Sequence, residues 1–178
     1  MKKMAALALS LGVLGIGVYQ MNQPEQVIAH GSFAKAYTDV SASQDAQHVV
    51  IGKVKKKIKS YVKGWPQTEL LIETEQNVKG ELPSQFIFVQ DGGLDEEANQ
   101  FVTFENYEIV KPGKSYLFFL NKVNEQDEIS SEENGLVKYW SIGGPQTVYE
   151  INDKKVKNLY NKQAKELKEL ENIIKENN

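Results

Sequence analysis

The strongest chemical feature of the sequence is a run of lysines between positions 53 and 63, where six of eleven residues are lysine. Successive side chains of an extended strand point to opposite faces, so alternate lysines would share one face. A row of ammonium groups could bind a repeated anion, and the two aromatic residues at the end of the run could stack on a ligand. The predicted binding surface comprises Lys53, Lys55, Lys57, Lys59, Tyr61, Lys63 and Trp65.

This lysine face has two interpretations. As a binding surface, it would attract anionic wall polymers, lipid headgroups or an acidic protein. As a structural feature, it would be a solvated strand face, or an edge whose lysines prevent strand-to-strand aggregation. Lys56 interrupts the alternation, and a β-bulge or a barrel rim would accommodate it.

The sequence contains no recognisable catalytic or metal-binding constellation. His30 and His48 are the only histidines, and cysteine is absent. A zinc site needs several converging ligands, and a Ser-His-Asp triad cannot be argued from two unlinked histidines. We therefore expect no enzymatic activity, no metal and no cofactor.

Two acidic clusters offer the oxygen ligands that Ca²⁺ prefers. Neither has the Asp-x-Asp-x-Asp-Gly order of a calcium loop, so the pattern favours solvated loops. The first cluster is Asp91, Asp95, Glu96 and Glu97, and the second is Glu125, Asp127, Glu128, Glu132 and Glu133.

The composition limits the classes of partner. The chain has 178 residues and a formal net charge of −3, and all of its basic residues are lysine. Arginine is preferred for bidentate phosphate clamps, and this charge is too mild to indicate nucleic acid. We expect an envelope protein or an anionic polymer as the partner, and no nucleic acid.

Residues 1–21 have the layout of a secretory signal peptide or an N-terminal membrane anchor. Two lysines precede an uncharged apolar stretch over residues 4–18. No Ala-x-Ala cleavage site follows closely, and an 18-residue helix here would be about 27 Å long, near the thickness of a bilayer core. We expect an exported protein, either extracellular or tethered to the outer face of the cytoplasmic membrane. If the segment is not cleaved, it is the part that contacts the membrane.

The remaining chain predicts a linker over residues 22–31 and one mainly β domain over residues 32–178. Hydrophobic patterning predicts strands over residues 48–62, 68–78, 85–90 and 115–122, and shorter ones over 136–142 and 147–151. Five to six strands of uneven length predict a small closed barrel of the oligonucleotide/oligosaccharide-binding (OB) type. A weak helix over residues 32–46 and an amphipathic C-terminal helix over residues 154–176 flank it, and we expect the second to pack against the barrel wall.

Three segments of this domain resemble the netrin module. They are residues 48–54, residues 68–80 with their Lys79-Gly80 ending, and residues 111–117, which begin with Lys111-Pro112-Gly113. The resemblance covers about residues 46–122. It implies an OB-type barrel shared with tissue inhibitors of metalloproteinases, and it is closer to exported proteins of Gram-positive bacteria built on that plan. Those inhibitors present an N-terminal cysteine to the protease zinc. This chain has no cysteine, so that mechanism is not carried over.

These observations predict a non-catalytic binding or interaction module at the bacterial cell envelope. One alternative is an envelope hydrolase or a protease-inhibitor-like protein with a site assembled from loops. Another is a structural accessory protein that oligomerises through its C-terminal helix.

Overall fold

The computed structural model describes residues 23–31, 33–124, 130 and 132–178. The predicted signal peptide or anchor lies outside these residues. Within the described part of the chain, no helix combines the length and the apolarity that a membrane crossing requires.

The described residues form a mainly β structure with two α-helices. The helices are α1 (Asp39–Asp45) and α2 (Leu167–Glu176), and a 3₁₀ turn covers Gly144–Thr147. The strands are β1 (Glu25–Ala29), β2 (His48–Lys63), β3 (Trp65–Lys79), β4 (Gln85–Asp91), β5 (Gly93–Asp95), β6 (Gln100–Phe104), β7 (Ser115–Lys122), β8 (Glu132–Glu133), β9 (Leu136–Ser141), β10 (Val148–Asn152), β11 (Lys155–Asn158) and β12 (Ala164–Glu166).

Five strands pair in a ring within a larger sheet of order β12-β11-β10-β7-β2-β3-β4-β9-β8. An additional pairing of β7 with β9 completes the ring β7-β2-β3-β4-β9. The β4–β9 pair is parallel, whereas the other four pairs of the ring are antiparallel. The predictions of a mainly β fold and a C-terminal helix are therefore confirmed.

The principal core lies inside this ring, because alternate residues of each strand point inward. Phe118 and Leu120 of β7, Phe86 and Phe88 of β4 and Leu70 of β3 are fully buried in it. Phe88 and Phe118 lie with ring centroids 4.8 Å apart. The inward-facing apolar positions of the long strands thus supply one continuous core.

A second core lies between the outer face of the sheet and the two helices. The outward residues of β7, Leu117 and Phe119, are as buried as its inward ones, and they share this core with Leu170 and Ile174 of α2. This is why the sequence of β7 is apolar on both faces. The apolar side of α2 therefore packs against its own domain.

The structure corrects the prediction of a helix over residues 154–176. The helix begins at Leu167, and the preceding segment forms β11 and β12. Asp153 and Lys162 have positive φ angles of 55° and 59°. Asp153 lies in the turn from β10 to β11, and Lys162 lies in the turn from β11 to β12. Val156 pairs with Ile151, so sheet pairing has replaced the helical hydrogen bonds that the apolar spacing suggested.

Two N-terminal predictions are also corrected. The predicted linker contains β1, which pairs in parallel with β6 in a three-stranded sheet with β5. The predicted helix over residues 32–46 is reduced to α1, which begins after Thr38. The Thr38 hydroxyl accepts a hydrogen bond from the Ser41 amide, forming a capping box that defines the start of the helix.

We expect Gly52→Ala to destabilise the domain by about 1–3 kcal/mol. A Cβ atom at this position would lie 2.5 Å from Cγ2 of the buried, β-branched Ile72. Urea denaturation of the variant should therefore show a lower free energy of unfolding. Gly31→Ala is the control, since its nearest atom would be 3.7 Å away. Equal stability of Gly52→Ala and the unmodified chain would contradict this packing.

Candidate functional site

The distal half of β2 is an unpaired sheet edge. Pairing of β2 with β7 runs from His48 to Lys53, and the Val54 amide donates a 2.9 Å hydrogen bond to the Lys114 carbonyl. From Lys55 to Lys63, no strand of the described chain pairs with this edge, and β3 pairs with the other edge. Five of the six lysines in the run therefore lie along a free strand edge.

Two register shifts interrupt the lysine alternation. They lie between Val54 and Lys56 and between Lys57 and Lys59. Directly paired residues of an antiparallel ladder share a face. Because Lys57 pairs with Leu70, it lies on the opposite face from Lys59, which pairs with Glu69. The prediction of a single face shared by alternate lysines is wrong at Lys57, because each bulge inserts an extra residue.

Ion pairs neutralise only part of the lysine run. Lys55 forms a 3.0 Å ion pair with Glu73, and Lys59 forms a 2.6 Å ion pair with Glu133. The remaining four lysines form no ion pair with any residue that the structure describes. They are Lys53, Lys56, Lys57 and Lys63.

A buried charge cluster borders the run on the outer face of the ring. The Lys138 ammonium donates hydrogen bonds to Glu69 Oε1 at 2.6 Å and to Glu133 Oε2 at 2.9 Å. Glu69 and Lys138 are 0% and 3% exposed, so each depends on the other to compensate its lost hydration. Hydrogen bonds from Lys59 and then Lys138 lower the pKa of Glu133 to about 2. The cluster connects β2, β3, β8 and β9.

The two predicted aromatic residues lie at the tip of the same hairpin. Lys59 Nζ lies 5.6 Å from the centroid of the Tyr61 ring, and burial together with the Glu69 carboxylate raises the pKa of Tyr61. Trp65 stacks on Phe104 with ring centroids 5.0 Å apart and an interplanar angle of 25°. One face of Trp65 is therefore already covered by protein.

Unpartnered polar atoms concentrate on this outer face. The buried atoms Tyr61 Oη, Trp65 Nε1 and Gln67 Oε1 have no hydrogen-bond partner among the residues that the structure describes, and Tyr61 pairs directly with Gln67 across the ladder. Buried polar groups without partners are rare in proteins. Sequence reasoning missed Gln67, Glu69 and Lys138. The only available signal was at Lys138, a charged residue between the apolar strand residues Val137 and Tyr139.

The other predicted chemical groups do not converge. His30 is exposed and lies 3.1 Å from Glu105, whereas His48 contacts Tyr139 edge-on, and burial lowers the pKa of His48. No group of three or more potential metal ligands occurs among the residues described. Glu125, Asp127 and Glu128 of the second acidic cluster lie outside those residues.

No protein-family model matches the chain, and a comparison with curated proteins found no match.

We expect Lys138→Met to lower the free energy of unfolding by about 3 kcal/mol, because it leaves the buried Glu69 carboxylate without its closest cation. Chemical denaturation measures this loss. The double variant Glu69→Met/Lys138→Met should recover most of it, since it removes both buried charges. Lys154→Met, at an exposed site, is the control. A double variant as unstable as the single one would contradict the role assigned to the ion pair.

We also expect the stabilising effect of Glu133 to disappear in acid. Its pKa is lower in the folded chain than the ordinary value of 4.5, so ionised Glu133 stabilises the fold above that pH. The contribution falls as the pH drops from about 4.5 to about 2. Thermal melts of the unmodified chain and Glu133→Gln should differ at pH 7 and converge near pH 2. A constant difference across this range would exclude the effect.

Proposed function

We propose that this protein is a non-catalytic binding module of the bacterial cell envelope, and that the lysine-rich edge of β2 binds an extended anionic polymer. The observation that carries the proposal is the free edge from Lys55 to Lys63, with unneutralised lysines along it. The run from Lys53 to Lys63 extends over about 33 Å at the rise of a β-strand. It can therefore contact several anionic groups of one polymer.

The order of the strands supports a closed OB-type barrel as the scaffold. Taken in chain order, the five ring strands pair as first with second, second with third, third with fifth, fifth with fourth, and fourth with first. The single parallel pair is that of the third and fifth strands, β4 and β9. OB barrels bind ligands near the loop between their first two strands. Here that loop is the hairpin at Gly64, beside Lys63 and Trp65.

The netrin-like interpretation and the envelope location also belong to this proposal. The absence of cysteine separates the chain from inhibitors that act through an N-terminal cysteine. The lysine pair and apolar stretch at the N-terminus support export. Burial of Leu170 and Ile174 in the domain favours a binding module over a protein that oligomerises through its C-terminal helix.

An edge-protecting role for the same lysines makes a different prediction. Lysines and bulges on an edge strand both discourage pairing with another chain. If protection is their whole role, removing their charge promotes aggregation and leaves polymer binding unchanged. If the lysines bind a polymer, removing their charge weakens binding in a salt-dependent way.

We expect the triple variant Lys56→Gln/Lys57→Gln/Lys63→Gln to bind long-chain polyphosphate about tenfold more weakly than the unmodified chain at low salt. Titration calorimetry at two salt concentrations measures the affinities, with neutral dextran as the reference polymer. Lys154→Gln/Lys155→Gln/Lys157→Gln is the matched control, because it removes the same charge from exposed positions elsewhere. Equal affinities of the two triple variants would contradict the proposed site.

A further inference from the structure

A second candidate site is a half-open cleft of about 780 Å³ at the other side of Trp65 and Phe104. Its walls come from five parts of the chain: the segment between β1 and α1, Asp91 at the end of β4, the loop after β6, the turn after β9 and the segment after β11. This volume is within the range of small-molecule sites. Five aromatic side chains line it: Phe33, Tyr37, Phe104, Tyr107 and Tyr160.

Glycines determine how these rings are placed. A Cβ atom on Gly143 would lie 2.6 Å from the Tyr37 ring, and one on Gly144 would lie 3.3 Å from the Phe33 ring. Gly144 also has the positive φ angle, 56°, that glycine adopts without strain. The Gly143-Gly144 pair therefore lets two aromatic rings approach the backbone at the floor of the cleft.

The cleft also contains an unneutralised carboxylate. Lys35 pairs with Asp45, and Glu105 Oε2 lies 3.1 Å from Nδ1 of His30. Asp91 forms no ion pair with any described residue; its Oδ1 accepts a 3.4 Å hydrogen bond from the Gln67 amide. The protein atoms that crowd Asp91 raise the pKa of its carboxyl. A cation in the cleft would supply the positive counter-charge for the Asp91 carboxylate.

One of the aromatic rings, that of Tyr37, already contacts a cation. The Lys35 ammonium lies 4.9 Å from the centroid of the Tyr37 ring, within the range of a cation–π contact. Ring faces attract cations through their negative quadrupole, and they replace the weak hydration of a methylated ammonium at little cost. The lining carboxylates disfavour an anionic ligand.

We propose that this cleft binds a quaternary ammonium group, held by the aromatic rings and by the charge of Asp91. The partly exposed rings of Phe33, Phe104 and Tyr160 provide apolar contact for the methyl groups, and Asp91 provides the counter-charge. This site is separate from the lysine-rich edge, and it does not depend on polymer binding there.

The test compares choline with 3,3-dimethylbutan-1-ol, a neutral analogue of nearly the same shape, in NMR titrations of the full-length chain. We expect choline to bind at least about fivefold more tightly than the alcohol. Its methyl protons should shift upfield, because they lie over aromatic rings. Equal affinities, or no choline binding at tens of millimolar, would overturn the proposal.

Two variants assign the site. Asp91→Asn keeps an oxygen for the Gln67 amide, and we expect it to weaken choline binding about fivefold to tenfold while leaving the alcohol unaffected. Phe33→Ala removes a ring that is 39% exposed, and it should weaken choline binding about threefold to fivefold. Asp153→Asn, outside the cleft, is the control for charge. Unchanged choline affinity in both cleft variants would overturn the assignment.

Glycerophosphocholine, tested in the same way, identifies the source of the ligand. Stronger binding of choline indicates a free small molecule, and stronger binding of glycerophosphocholine indicates a lipid headgroup. Either result supports recognition of the quaternary ammonium group. Failure of both ligands would overturn it. The triple lysine variant should bind choline normally, so the polymer proposal and this one can fail independently.

Discussion

The double pairing of β9, with β4 on one edge and β7 on the other, encloses the principal core. Three residue pairs join β9 to β7 and three join it to β4. Without these pairs, the inward faces of β2, β3, β4 and β7 would form an open curved sheet with Phe86, Phe88 and Phe118 facing water. A few backbone hydrogen bonds between residues far apart in sequence thus determine where the largest side chains are buried.

The same pairing has an electrostatic consequence on the outer face. It brings Lys138 of β9 within 2.6 Å of Glu69 of β3, although the two residues are 69 positions apart. Each buried charge would be costly alone, so the pair makes the relative position of these strands specific. Glu133 and Lys59 extend this cluster to the hairpin edge. The charged surface proposed for polymer binding is therefore anchored to the fold by a buried ion pair.

The two proposed sites are separate but neighbouring, and contacts at the tip of the hairpin lie between them. Trp65 stacks on Phe104, which lines the aromatic cleft, and Gln67 donates to Asp91 in the same cleft. The free edge of β2 has exposed lysines, whereas the cleft has aromatic rings and a carboxylate.

Local sequence was sufficient for the elements whose side chains alternate and whose ends have turn residues. The prediction of a strand over residues 115–122 matches β7, and residues 48–62 and 68–78 lie within β2 and β3. Gly113 has a positive φ angle of 86° in the turn before β7, a conformation that glycine adopts without strain. These features depend on neighbouring residues, so a local pattern predicts them.

The other features of the fold and of the candidate sites could not be predicted locally, because they depend on contacts between residues that are distant in the sequence. Residues 154–166 have helical spacing of apolar residues, but they form strands because β11 pairs with β10. Residues 25–29 have the pattern of a linker, but they form a strand because they pair with β6. The six lysines were evident in the sequence. The bulges in the run, its unpaired edge and the ion pairs of Lys55 and Lys59 were not evident, because each depends on residues that are distant in the sequence. The residue types of the lysine run and its strand conformation follow from local sequence alone. The folded chain determines which lysines form ion pairs, and it assembles the aromatic cleft from five segments that no local pattern connects.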